Sequence, residues 1–156
     1  MRIGNAMEYI EIEPERSSYA SEVKLDVTLN IKDFRGSYGG VYVSQQELNR
    51  FIDSLYALED RRQGAARFCS RGPDELLFEY RQPDYAAHAE GDPQLLFEIR
   101  STDTIGHMAI EAQLHRYYFG ESSSNPVYLK GCFDVGPEVI SELILLFHEA
   151  EKLINS

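Results

Sequence analysis

His107, Glu111 and His115 recur at intervals of four residues, and imidazole and carboxylate are ligand types that hold zinc. On a helix this spacing gathers the three side chains on one face around a single ion, which would make the chain a metal-dependent enzyme. On a strand the same spacing spreads them by roughly 13 Å per step, too far for a shared metal. The neighbouring residues decide between the two. Met108, Ile110, Ala112 and Leu114 fall between Glu111, Gln113 and His115 with a period of two, the mark of a half-buried strand. The expected reading is a water-facing sheet surface, with the metal-dependent enzyme as the lesser alternative. His88 and His148 have no ligand partner at metal spacing.

Other catalytic patterns are sparse. Cys69 and Cys132 are the only cysteines and lie far apart, which fits reduced thiols in a cytoplasm better than a disulfide scaffold. Both are expected to be buried structural thiols. Cys132, between Lys130 and Asp134 on the polar parity, is the more outward of the two, and no His is placed nearby to make it a nucleophile. Glu98 and Glu111 would face each other across a hairpin as a carboxylate pair of the kind glycosidases use. Gly36, Gly39 and Gly40 have neither the Lys nor the spacing of a phosphate-binding loop. G-x-S-x-G and H-E-x-x-H are absent. The residues therefore point to no catalytic site and no cofactor.

The elements that would carry these residues follow from periodicity. Leu95, Phe97 and Ile99 share a parity that meets Met108, Ile110, Ala112 and Leu114 across Ser101, Thr102, Asp103, Thr104 and Gly106, so a long antiparallel hairpin is expected over 94–119. Upstream, Ile10 and Ile12 mark a short strand over 9–13 that Pro14 should end, and 15–22 reads as a loop. Val23, Leu25, Val27, Leu29 and Ile31 alternate cleanly with polar residues, and a third strand through Tyr42 and Val43 should pair with them by a bulged, Gly-rich hairpin. Ser44 and Glu47 form a capping box, opening a helix whose stripe is Leu48, Phe51, Ile52, Leu55 and Leu58, with Gly64 as its stop signal.

Strands follow over 66–70 and 75–81, then a charged loop over 82–93, and after the hairpin a Ser-rich turn over 121–125. A last strand carries Val127, Leu129, Gly131 and Phe133. Pro137 suits the first turn of a final helix with Val139, Ile140, Leu143, Leu146, Phe147, Ala150 and Leu153 inside. The fold class expected is α+β: a strongly bent antiparallel sheet or small sandwich of seven or eight strands with two amphipathic helices packed on it. One domain over 7–155 is expected, with 1–6 as a disordered leader. At 156 residues the chain is long enough to bury a core without metal or disulfides.

Charge narrows the function. Acidic side chains number 26 against 15 basic ones, a formal net charge of -11. Such a field repels nucleic-acid phosphates and anionic membranes and speeds encounter with a cationic protein. No apolar run reaches the length of a bilayer span, and the first residues lack the apolar core of a secretory signal, so a cytoplasmic protein is expected. Tyrosine is abundant, at 10 residues without any tryptophan. Tyr38, Tyr42, Tyr117 and Tyr118 lie at strand ends or on polar parities, where rigid amphipathic rings serve protein interfaces.

GSYGGVYVS, the capped SQQELNRFIDSLYALE, the strand IGHMAIE and the closing LKGCFDVGPEVISEL occur in an order that resembles the WapI-type bacterial immunity proteins: a helix after three strands and a last helix after a sheet. The resemblance implies a non-enzymatic inhibitor that stays in the producer's cytoplasm and binds the toxic C-terminal domain of a polymorphic, contact-dependent toxin. It brings no binding motif to transfer residue by residue. An acidic adaptor or subunit with another partner is the alternative. The contact residues expected from charge and exposure are Asp84, Glu90 and Asp92 in the loop over 82–93, with Glu98 and Glu111 on the polar sheet face. Reversing Asp84 and Asp92 to Lys should lower the association rate with a cationic partner and flatten its salt dependence; an unchanged stopped-flow rate would remove that loop from the interface.

Overall fold

Alternating apolar residues build the first sheet. The computed structural model describes residues 1–70, 94–116 and 127–155. In it β1 (Arg2–Gly4), β2 (Glu8–Arg16), β3 (Glu22–Ile31) and β4 (Phe34–Ser44) pair antiparallel in chain order. Ile10, Ile12, Val23, Leu25, Val27, Leu29, Val41 and Val43 all point to one side and are buried, as strands with one dry face require. The bulge expected in the β3–β4 hairpin sits at Gly40: Leu25 pairs with Val41 and Asp26 with Gly39, leaving Gly40 unopposed at φ +104, a conformation that costs a glycine little. The extra residue switches the facing of β4. Tyr38, expected on a polar parity, instead packs against the core, while Tyr42 turns outward and meets Tyr19 edge-on, with ring centroids 5.2 Å apart.

Two expectations at the amino end are corrected. Residues 1–6 are not disordered: Arg2, Ile3 and Gly4 pair with Glu11, Ile10 and Tyr9, Ile3 is buried, and the Arg2 guanidinium lies over the Tyr9 ring. The helix α1 (Gln45–Arg61) accordingly follows four strands, not three. Nor does Pro14 end its strand, since β2 continues to Arg16 with Pro14 opposite Leu25. Ile12 exchanges backbone hydrogen bonds with Met1. Pro14, two residues on, presents its nitrogen to the same side, past the end of β1, where no ladder hydrogen bond is needed.

The second sheet holds β5 (Ala65–Ser70), β6 (Leu95–Ser101), β7 (Met108–Arg116) and β8 (Val127–Val135), again antiparallel in chain order. The hairpin is present: Phe97 lies opposite Ala112 and Ile99 opposite Ile110. Leu95, Phe97, Ile99, Met108, Ile110, Ala112 and Leu114 are all buried. The strand expected over 75–81, the loop over 82–93 with His88, the turn over 121–125, and Tyr117 and Tyr118 lie outside the described residues.

The capping box forms. The Glu47 N–H donates to Ser44 Oγ, and the Ser44 N–H donates to Glu47 Oε2 at 2.8 Å. The helix closes on Arg62, left-handed at φ 54, whose N–H reaches Leu58 O at 2.8 Å; Gly64 stands just beyond the cap. The final helix α2 (Val139–Ile154) starts two residues after Pro137, which lies in the preceding turn.

One apolar cluster joins both sheets and both helices. At its centre Phe51 of α1 meets Phe68 of β5, Phe97 of β6 and Phe147 of α2 edge-on, with centroids 5.4, 6.0 and 4.8 Å away. The sheets also meet directly at β8, where Gly131 admits Ile31 of β3: a Cβ on Gly131 would lie 2.1 Å from Ile31 Cδ1. Among the described residues the architecture is thus two antiparallel four-stranded sheets with two helices, an α+β fold. Phe51→Ala should lower the unfolding free energy by about 3–5 kcal/mol and Ser44→Ala by about 1 kcal/mol, both read from urea unfolding curves.

Candidate functional site

Strand pairing in the second sheet places its polar residues in rows. Arg67, Glu98, Glu111 and Cys132 stand side by side across β5, β6, β7 and β8. Glu98 and Glu111 are direct cross-strand neighbours, as the hairpin requires, and two like charges so placed repel. Three cations answer them. Arg67 reaches Glu98 Oε2 at 2.8 Å, Arg100 lies 3.2 Å from both Glu98 Oε1 and Glu111 Oε2, and Lys130 reaches Glu111 Oε1 at 2.7 Å. Arg100 therefore bridges the two carboxylates. The Lys130 ammonium, with Arg100 and against the cost of burial, holds the Glu111 carboxyl below its ordinary range. A general acid at neutral pH needs the opposite displacement, so Glu111 is not tuned as the proton donor of a glycosidase-like pair.

Two of the contact residues expected from the sequence, Glu98 and Glu111, are thus brought together, but as members of an ion-pair network. Asp84, Glu90 and Asp92 lie outside the described residues. Cys132 is exposed and Cys69 half-buried; neither is the buried thiol expected, because both occupy the outward parity of their strands.

His107 stands in the turn before β7. The Asp103 carboxylate accepts the backbone N–H groups of Ile105, Gly106 and His107 at 2.9–3.1 Å and also pairs with His107 Nδ1. Burial of Asp103 works against ionisation, yet the His107 side chain and the His107 and Ile105 N–H groups together keep its pKa below the usual value. The imidazole thus closes a turn. Glu111 and His115 lie on the extended β7, so the helical arrangement that would gather His107, Glu111 and His115 is not formed. Among the described residues no group of three His, Cys, Asp or Glu is placed to hold a metal ion.

The outer side of the first sheet has a different balance. Glu13 lies opposite Asp26 and Glu11 opposite Thr28, around a depression of about 240 Å³ that Gly39 and Ser37 complete. Gly39 lies close against Asp26: a Cβ there would sit 3.2 Å from Asp26 Oδ1. Lys24 pairs with Glu15 and Asp26 at 2.8 and 3.1 Å. Glu11 and Glu13 form no ion pair among the described residues.

Glu13 also borders a second, larger groove of about 380 Å³ between β2 and α2, with Pro14, Leu146 and Met1 within it and Glu142, Leu145 and Glu149 along the helix. Leu145 is 67% exposed. Where α1 crosses α2, His148 bridges Tyr56 Oη at 3.1 Å and Glu151 at 3.2 Å, a seam that fastens the helices.

Comparison with known proteins adds nothing to this geometry: no protein family, curated protein or solved structure matches the chain.

Sequence reasoning passed over Glu11, Glu13, Leu145 and the three cations of the second sheet. The first two were legible as the polar parity opposite Ile10 and Ile12, and Leu145 as an apolar residue surplus to its helix stripe. Arg67 and Lys130 reach the carboxylates from strands distant in the chain, and no local pattern announces such pairs. Glu111 carries a testable consequence. Its folded pKa lies below the unfolded value of about 4.3, so its stabilisation is present above that pH and lost as pH falls through the lower folded value. Wild type should be more stable than Glu111→Gln at neutral pH, and the gap should close below about pH 4 in urea unfolding measured across a pH series.

Proposed function

We propose that this protein is a non-enzymatic immunity protein, held in the cytoplasm, which binds and masks a cationic protein toxin domain. The observation that carries the reading is the uneven placement of its charge. On the outer face of the second sheet, Arg67, Arg100 and Lys130 offset Glu98 and Glu111. Glu11, Glu13, Glu142 and Glu149 have no ion partner among the described residues and border two adjoining depressions. The acidic excess of the chain is thereby presented, in part, as one surface running from the first sheet onto α2.

Such a surface attracts a basic domain from a distance and opposes its approach to phosphates, because it occupies the same groove with the same sign of charge. A toxin that acts on nucleic acid has that kind of groove, and the sequence resemblance to the WapI-type immunity proteins, although α1 follows four strands and not three, favours the same class of partner. Glu98 and Glu111 contribute less to this field than their number suggests, since their cations screen them. No helix among the described residues is long and apolar enough to cross a membrane, in keeping with action on a partner met in solution.

Co-expression with the product of the neighbouring upstream reading frame should yield a stable complex and restore growth. Glu11→Lys with Glu13→Lys should slow association about tenfold at low salt, with little effect in high salt. A neighbouring protein that is neither toxic nor retained by this chain would overturn the proposal.

A further inference from the structure

We propose that the groove between β2 and α2 anchors a short segment of the cationic partner in which an apolar side chain is flanked by lysine or arginine. This rests on the function proposed above and names the chemistry of the contact. Glu142, Leu145, Leu146 and Glu149 recur at three- and four-residue steps, so they share one side of α2. Leu146 turns down into the core, whereas Leu145 is left at the lip, 67% exposed. Across from them stands β2, with the Pro14 ring and, next to it, Glu13. The result is an apolar trough with carboxylates on both banks.

Its volume of about 380 Å³ lies at the lower end of the roughly 300–1,000 Å³ typical of ligand pockets. That suits one or two side chains of a protein segment and not a whole helix. Charge selects the occupant. A second copy meeting this face about a two-fold axis would bring Glu142 and Glu149 toward their own counterparts, an arrangement that like charges oppose. Anionic lipid and anionic small molecules meet the same repulsion. An apolar side chain between cationic neighbours satisfies both floor and banks.

Glu13 borders this trough and the smaller depression of Glu11 and Asp26. The sheet face accordingly supplies long-range attraction and the trough a local anchor. An interface of this kind combines a steering field with a small desolvated contact.

The test uses the full chain and two short labelled peptides of equal charge, lysines flanking a pair of leucines in one and a pair of serines in the other, followed by fluorescence anisotropy. The leucine peptide should bind about tenfold more tightly. Leu145→Ser should abolish that preference and leave the serine peptide unaffected. Glu142→Lys with Glu149→Lys should weaken both peptides about tenfold at low salt. Leu145 is exposed, so its variant should unfold at the wild-type temperature.

Equal binding of the two peptides by wild type, or a leucine preference that survives Leu145→Ser, overturns the proposal. So does sedimentation showing a dimer that Leu145→Ser dissociates, which would seat a second copy in the trough. So does flotation with neutral phosphatidylcholine vesicles that Leu145→Ser abolishes, which would seat lipid there. Equal binding of the two peptides by wild type while the complex with the neighbour-encoded domain persists removes the trough alone. A preserved preference with no such complex removes the toxin reading and leaves the trough.

Discussion

The contact on which the molecule depends is the meeting of Phe51 with Phe68, Phe97 and Phe147. One ring on α1 thereby touches two strands of the second sheet and the other helix. The first sheet reaches the same cluster through Ile10, Ile12 and its β3 row, so two sheets and two helices share one interior. Edge-on aromatic pairs add a directional component to burial. The helices are thereby held at a fixed distance from both sheets. The outer faces of those sheets, which carry the charge, inherit their positions from this interior.

The two sheet faces differ in charge balance. The second pairs its carboxylates with cations drawn from β5, β6 and β8, and the like-charge contact between Glu98 and Glu111 is relieved by Arg100 bridging them. The network is partly exposed, and exposed ion pairs contribute little individually. Its larger effect is to remove charge from a surface that would otherwise join the acidic excess. Among the described residues the first sheet has only Lys24 in a comparable role. A chain can therefore be strongly acidic overall and still carry that charge unevenly over its described sheet faces.

The long alternations of β3, β6 and β7 were readable because each has one dry face and no interruption, and the Ser44–Glu47 box was readable because capping is chemistry between near neighbours. What escaped was non-local or too short. β1 has only three residues, too few for a period. Pro14 argues against a strand only when its nitrogen faces a partner, and that depends on where β1 stops. Gly40 inverts the facing of β4 midway, so Tyr38 and Tyr42, four residues apart and nominally on one parity, end on opposite sides. At the site the residue types were legible but their pairing was not, because Arg67 and Lys130 become neighbours of Glu98 and Glu111 only through sheet order.

Pro14 has a further bearing on how copies of this chain coexist. Exposed strand edges invite templated growth, in which one chain after another docks main chain to main chain and a fibril results. Past the end of β1, the rim of β2 offers such a template a proline ring in place of a donor, flanked by Glu13, Glu15 and Arg16. Runaway polymerisation from that rim lacks a rung where it would have to begin.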